Sequence, residues 1–490
     1  MKFSFEIKDF IEVDFHAEKT AIVGDDYELT WSEFKSRVNM LSSELLKNNI
    51  HQLNKPVIIY GHKSAGMIVA MYACIKANIG YVPVDIIYPA ERIKKIIFQS
   101  GSKLILNTTD QKLGFANVHE VLYRSSSFKE TLPKINVDES YTAADDKLVY
   151  TIFTSGSTGE PKGVQITTEA VQSFVRWMCS DFGFSSNDVF VNTAILSFDL
   201  SVFELMTFGA IGGTIVLTSR AIASEPKKFI EHIAQHKGTV LIATPSFVLP
   251  YCRLNGQKEL ESLSCFLFCG EILPNSTAKN LLENFKNARV INTYGPTEAT
   301  VATTIVEITK EIVSKYDSLP VGVSKPESKL LIEEGEIVIA GPNVSVGYLN
   351  NPELNASKFV MRDGLRAFKT GDSGYLENGM LFFNGRNDDL VKLHGYRIEL
   401  NEITNALHAI QGVIQAATIG LKRDGVVKKI VSLVNAENAV SDSTMLKNEL
   451  AKTLPHYMIP ADIRFVKEIP LNANGKADKK LLTEIYLSAR

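Results

Sequence analysis

Residues 150–163 read Tyr-Thr-Ile-Phe-Thr-Ser-Gly-Ser-Thr-Gly-Glu-Pro-Lys-Gly, an apolar run that ends in a loop of hydroxyls, glycines and one lysine. The chemistry such a loop can perform is anion binding. Gly156, Gly159 and Gly163 let backbone N–H groups come close to a phosphate, Thr154, Ser155, Ser157 and Thr158 add hydroxyl donors, and Lys162 adds a positive charge. It is not a Walker A loop, because Pro161 stands where that pattern needs its second glycine, and it contains no G-x-G-x-x-G. Taken alone, a Ser/Gly/Thr loop is more often a plain surface turn. No Ser-His-Asp or Cys-His arrangement occurs at a recognisable spacing. The five cysteines (Cys74, Cys179, Cys252, Cys265, Cys269) form no C-x-x-C pair or Cys/His cluster, so they read as reduced, packing thiols of a cytoplasmic protein.

The elements that must position this loop follow from hydrophobic patterning. At 490 residues the chain is long enough for about three domains. With 52 Lys+Arg against 55 Asp+Glu, the balance disfavours a nucleic-acid binder and an acidic solvating tail. A hydrophobic content of 45% with 22% charged residues implies a sizeable buried core. The charged start of the chain disfavours a secretory leader, and no run of about 18 uncharged apolar residues suggests a membrane span. Thr30-Trp31-Ser32-Glu33 fits a capping box, followed by Phe34, Val38, Leu41 and Leu45 at helical spacing. A strand is expected at 57–61 and a helix at 65–77. Short β-rich runs at 189–196, 214–217, 240–243, 266–268 and 290–293 alternate with helical patterns such as 226–236 and 276–285. This alternation predicts an α/β fold with mainly parallel, buried sheets. Near 385 the character changes to a smaller α+β pattern, with strands at 390–393, 413–419 and 430–434 and a helix at 400–407. The expected organisation is a large N-terminal domain over 1–384, a hinge at 385–389, and a small mobile α+β domain over 390–490.

Residue order adds what composition cannot. Thr154 through Gly163 resembles the TSGSTGxPKG motif of the adenylate-forming superfamily, which includes acyl-CoA synthetases, luciferases and peptide-synthetase adenylation domains. Five further segments resemble that superfamily in the same order along the chain. In Asn292-Thr293-Tyr294-Gly295-Pro296-Thr297-Glu298, the resemblance implies that Tyr294 stacks on adenine, Asn292 reads its edge and Glu298 holds Mg²⁺. A carboxylate is a suitable hard oxygen ligand for that ion beside phosphates. In Lys369-Thr370-Gly371-Asp372, Asp372 would accept hydrogen bonds from the ribose hydroxyls. Gly385-Arg386-Asn387-Asp388 resembles the hinge motif, with Arg386 near the ribose and Asp388 as the pivot; Gly395 through Leu400 resembles the segment that follows. Asn474-Gly475-Lys476 places Lys476 as the catalytic lysine. The resemblance implies ATP and Mg²⁺ as cofactors, with Thr293, Gly295 and Thr297 also at the nucleotide.

Phe198-Asp199-Leu200-Ser201-Val202-Phe203 resembles the amino-acid-activating branch, in which the aspartate pairs with a substrate ammonium. A buried carboxylate is costly unless paired, so a cationic partner is sensible; Asp199 as a helix N-cap is the alternative. Carried over residue by residue, the pocket comprises Asp199, Leu200, Phe203, Ser246, Leu267, Cys269, Thr293, Val301, Ala302 and Lys476. It offers no acid, base or space for a long side chain, which implies a very small amino acid. Segments 244–248, 268–274 and 292–300 resemble the D-alanine–D-alanyl carrier protein ligases, whereas Phe203-Glu204-Leu205-Met206 departs toward peptide-synthetase modules. The expectation is adenylation of D-alanine and its transfer to the phosphopantetheine thiol of a carrier protein supplied in trans, as for teichoic acid D-alanylation. The alternative is a free-standing adenylation enzyme for glycine, L-alanine or serine.

Overall fold

The computed structural model describes residues 17–25, 27–123, 132, 148–156, 159–251, 259–386, 389–423, 426–437, 442–471 and 477–488. They form two compact units: Met1–Asp85, Gln99–Ile152 and Gly163–Gly385 in one, and Ile86–Phe98, Phe153–Lys162 and Arg386–Arg490 in the other. Two short segments early in the chain thus cluster with the C-terminal region.

The first unit is built on two large sheets. One has nine strands, with Arg289–Tyr294, Cys265–Phe268, Val240–Ala243, Val189–Asn192, Thr214–Leu217 and Thr20–Val23 running parallel as successive neighbours. Antiparallel strands Thr304–Glu307 and Glu28–Thr30 flank this parallel block. The second sheet has seven strands, with Leu148–Thr154, Tyr81–Asp85, Val57–Gly61 and Leu104–Asn107 at its parallel centre. A smaller antiparallel sheet carries the long strand Leu365–Glu377. Side chains alternate across the nine-stranded sheet, as strand geometry requires. Cys265, Leu267 and Cys269 join the main core, whereas Phe266 and Phe268 enter a second cluster with Phe229, Leu241 and Val290. Both faces are therefore covered, which is why these strands read as continuous apolar runs rather than alternating ones.

The patterned elements form close to where they are expected. Thr30 and Glu33 make the reciprocal capping box of helix Trp31–Lys47, with Phe34, Val38, Leu41 and Leu45 buried. Helices Ala65–Lys76, Pro226–Gln235 and Asn275–Asn284 fall within a residue of their expected ends. The run 189–196 is strand only as far as Asn192, because the chain then turns towards the candidate pocket. The strand Met380–Arg386 continues through Gly385, two residues into the segment read as polar linker.

The second unit holds the hairpin Leu390–Leu393/Tyr396–Glu399, helix Leu400–His408, and a three-stranded sheet of Val413–Arg423, Val426–Ala436 and Asp462–Phe465. Its core gathers Ile398, Leu400, Ile403, Leu407, Leu446 and Met458.

Candidate active site

The parallel strands of the nine-stranded sheet end together, so Asn192, Leu217, Ala243, Phe268 and Tyr294 share one carboxyl edge. In an open α/β sheet this edge is where ligands bind. Just beyond it lie most of the residues assigned to the amino-acid pocket. Asp199 opens a short 3-10 turn, Asp199–Ser201, and Phe203 follows in helix Val202–Ile211. The Thr297 hydroxyl donates to Asp199 Oδ2 at 2.6 Å, tying this turn to the one that contains Glu298. The N-cap residues of the turn and the helix are Phe198 and Ser201, so Asp199 caps neither. Phe203, Leu267, Cys269, Val301 and Ala302 all lie in the main core, with Leu200 packed against it. Phe203 meets Phe174 edge-on at 5.2 Å. Cys269 Sγ lies 3.8 Å from the Val301 carbonyl, and Thr293 Oγ1 donates to the Phe268 carbonyl at 2.8 Å. Ser246 sits apart from the apolar wall, its N–H donating to Glu271 Oε2 at 3.0 Å.

The wall is strained. Thr300 and Val301 adopt φ of +54° and +67°, a region that β-branched residues rarely enter. Each such residue costs about 1–3 kcal/mol and persists only where surrounding contacts over-determine it. Here they do: Thr300 Oγ1 donates to the Asn343 carbonyl, and the Asn343 amide returns bonds to the Ala299 carbonyl and Thr303 Oγ1. Gly295 is required by the same fold-back, since a Cβ there would lie 2.5 Å from the Ala302 Cα.

Residues assigned to the nucleoside are also brought together in the first unit. Tyr294 OH donates to Asp372 Oδ2 at 2.5 Å, both groups being buried. Asn292 donates through Nδ2 to the Pro320 carbonyl, while its Oδ1 is buried with no protein partner. That acceptor, beside an aromatic ring and a carboxylate, fits an adenosine: an exocyclic amine for Asn292 Oδ1, a ring face for Tyr294 and hydroxyls for Asp372. The Glu298 carboxylate is fully buried and accepts from Tyr348 OH at 2.7 Å. Among the described residues no cluster of three or more His, Cys, Asp or Glu could hold a metal by itself. One fixed carboxylate suits Mg²⁺, which takes one or two from protein and the rest from phosphates and water.

The glycine-rich loop belongs to the second unit. Gly156 is needed where the loop doubles back, because a Cβ would fall 2.0 Å from the Glu160 carbonyl oxygen. Gly159 N–H closes the turn on the Gly156 carbonyl at 3.0 Å. The donors of this loop meet residues 397–402. Ser155 Oγ donates to the Arg397 carbonyl and accepts from Glu399 N–H, Lys162 Nζ lies 3.4 Å from Glu399 Oε1, and Gly156 N–H donates to Glu402 Oε2 at 3.0 Å. The other Glu402 oxygen accepts from Arg92 at 2.8 Å, each side chain being at most 3% exposed. Burial opposes the Arg92 charge, yet the facing Glu402 carboxylate, Tyr457 and Tyr88 together outweigh it and raise the guanidinium above its ordinary range. Arg386 ends its strand half-buried. Ser157, Thr158, Asp388 and Lys476 lie outside the described residues.

The family model for AMP-binding enzymes matches residues 12–349, and that for the AMP-binding enzyme C-terminal domain matches 402–476. The chain belongs to the AMP-binding enzyme family. This AMP-binding enzyme is 38% identical to a D-alanine–D-alanyl carrier protein ligase of Bacillus cytotoxicus over 96% of the chain and 97% of that protein. It is 39% identical to the ligase of the same name from Bacillus cereus strain G9842 over the same shares. Its fold matches the o-succinylbenzoate CoA synthetase of Bacillus subtilis with a TM-score of 0.82 at 22% identity, covering 98% of each chain. It also matches a peptide-synthetase protein containing adenylation and carrier domains, with a TM-score of 0.81 at 25% identity, covering 98% of this chain and 83% of that one. No described helix is long and apolar enough to cross a membrane.

Several residues that sequence reading passed over make hydrogen bonds to these side chains or to the loops that carry them. Tyr348 and Asn343 carried no motif, and their roles depend on contacts 44–50 residues away in sequence. Arg92 and Glu402 are 310 residues apart. Glu204 did leave a signal, as an acid inside the apolar segment that departs from the ligase pattern.

Proposed function

We propose that this protein activates D-alanine with ATP as D-alanyl adenylate and transfers it to the phosphopantetheine thiol of a separate carrier protein. In the first step a carboxylate oxygen of D-alanine attacks the α-phosphorus of ATP. The new acyl–phosphate bond forms as the bond to the β-phosphate bridging oxygen breaks, and pyrophosphate leaves. An already ionised carboxylate needs no general base, so positioning and charge stabilisation supply most of the rate. Asp199 pairs with the substrate ammonium, while the apolar side chains of Phe203, Leu267, Cys269, Val301 and Ala302 face a small side chain such as a methyl group. Asn292, Tyr294 and Asp372 hold the adenosine, with Arg386 at the ribose. Thr154, Ser155, Gly156, Ser157, Thr158, Gly159 and Lys162 hold phosphates, and Lys476 stabilises charge at the reacting carboxylate and α-phosphate. Glu298 would hold Mg²⁺, which screens charge on the triphosphate when bound.

In the second step the carrier thiol, losing its proton, attacks the acyl carbon; the thioester bond forms and AMP leaves. Residues 385–389 act as the hinge for this change, with Asp388 as the pivot, and the region from 390 onward moves about it. The enzyme works in the cytoplasm, where ATP is available and its four described cysteines remain free thiols. Its product serves D-alanylation of cell-wall teichoic acids.

The observation that carries this reading is the Asp199 carboxylate at the sheet's carboxyl edge, tied to Thr297 and set among the buried apolar residues Phe203, Leu267, Cys269, Val301 and Ala302. ATP–pyrophosphate exchange across both enantiomers of alanine, with glycine and serine, tests it. D-alanine is expected to give the highest kcat/KM; a preference for glycine or any L-amino acid would favour the peptide-synthetase alternative.

A further inference from the structure

Three donors of the glycine-rich loop are engaged within the second unit by a single run of chain. Gly156 N–H and the Lys162 ammonium face the carboxylates of Glu402 and Glu399, and the Ser155 hydroxyl is used by the backbone at Arg397 and Glu399. Both carboxylates are nearly buried, and Glu402 is fixed from its other side by Arg92. The N–H of Gly156 cannot donate at full strength to Glu402 and to a phosphate oxygen together. A phosphate brought against two fixed, desolvated carboxylates would also face like-charge repulsion that little water screens.

We infer that Glu402 is an internal substitute for phosphate: held by Arg92, it takes the donors of the loop when no phosphate is bound, and its return once pyrophosphate has gone positions residues 396–402 for thioester formation. Glu402 is thus a competitor of phosphate in the first half-reaction, and Arg92 and Glu402 are positioning residues for the second. This rests on the reading of residues 154–163 as the phosphate cradle. Arg92 gives the arrangement its selectivity. Without that buried cation the carboxylate would be an uncompensated charge at the loop, so Arg92 is what makes the return of Glu402 favourable.

The test separates the two half-reactions in the full-length enzyme. Glu402→Gln keeps the shape of the side chain and an oxygen acceptor but removes the charge that excludes phosphate. It is expected to lower the KM for pyrophosphate and ATP in the exchange reaction several-fold. It is also expected to slow loading of the carrier with D-alanine by about tenfold, the size of one lost charge-assisted hydrogen bond. A double variant, Arg92→Met with Glu402→Gln, removes both charges without stranding either and should show the same split. Equal loss in both half-reactions at a wild-type Tm, or unchanged KM for pyrophosphate with unchanged loading, would overturn the inference. Lys162→Met tests the underlying reading on its own: a raised KM for ATP with the D-alanine KM unchanged supports the cradle, and an unchanged KM for ATP rejects it whatever Glu402 does.

Discussion

The regions proposed to bind the amino acid and the phosphates are held by opposite means. Asp199, Cys269, Thr293, Val301 and Ala302 stand at the edge of a sheet buried on both faces, and their geometry is set by core packing and by two strained residues locked through Asn343. The glycine-rich loop takes its partners from the backbone of residues 397–399 and from the carboxylates of Glu399 and Glu402. A pocket that must distinguish one methyl group from another gains from rigidity, because a group displaced by a fraction of an ångström forfeits selectivity. A loop that must bind a triphosphate and later release pyrophosphate gains from donors whose partners can be replaced.

The largest expected effect lies at the rigid end. Asp199→Asn keeps the shape and the Thr297 bond but removes the charge opposite the substrate ammonium. It should lower kcat/KM for D-alanine by about 10³-fold, the cost of stranding one member of a desolvated charge pair. The KM for ATP in the same exchange assay should be unchanged; an equal rise in both would break the division between the two ends.

Next comes the support behind that pocket. Buried Lys63 donates to the carbonyls of Thr193 (2.5 Å) and Thr218 (3.0 Å), beyond the ends of two neighbouring strands. It is coupled electrostatically to Glu204, which accepts from Asn192 at 2.6 Å on the helix that carries Phe203. Burial pushes the Lys63 amine down to about 8 and the Glu204 carboxyl up to about 8. Lys63→Met should destabilise the fold by about 3 kcal/mol, because two strand-end carbonyls lose their buried donor. The sign with pH follows from Glu204. A carboxyl raised in the fold favours stability below its unfolded value of 4.5 and loses that contribution as pH climbs through about 8. Glu204→Gln should therefore flatten the decline in Tm between about pH 5 and pH 9. An unchanged slope would place the titration elsewhere.

The smallest effect is expected at Cys269. Its buried thiol lies beside the Val301 carbonyl and the proposed reaction asks no covalent step of it, so Cys269→Ala should cost about 1 kcal/mol, under tenfold in the KM for D-alanine. A loss of about 10³-fold in kcat would instead mark it as a nucleophile.

The two regions also differ in how much of them the sequence made legible. The strands leading to the pocket could be read because burial on both faces leaves apolar runs bounded by turns, and the capping box at Thr30 because its logic is local. The glycine-rich loop was visible for the same reason: its chemistry is contiguous. What holds each end in place was not visible. Asn343 acts on residues 40–44 positions away, and Lys63 reaches carbonyls 130 and 155 positions away. No periodicity encodes a pairing set by the meeting of distant strands. The Phe203–Met206 departure is the instructive case. In sequence it looked like a drift in specificity; in the fold Glu204 is a buried acid bonded to Asn192 and electrostatically coupled to Lys63.

The account is tested most directly by a crystal structure of the full-length enzyme with D-alanine and a non-hydrolysable ATP analogue. It predicts the substrate ammonium on the Asp199 carboxylate with Thr300 and Val301 unmoved, and phosphate oxygens on Gly156 and Lys162 with Glu399 and Glu402 displaced. A bound triphosphate with Glu402 still on Gly156, or an ammonium placed away from Asp199, would contradict it.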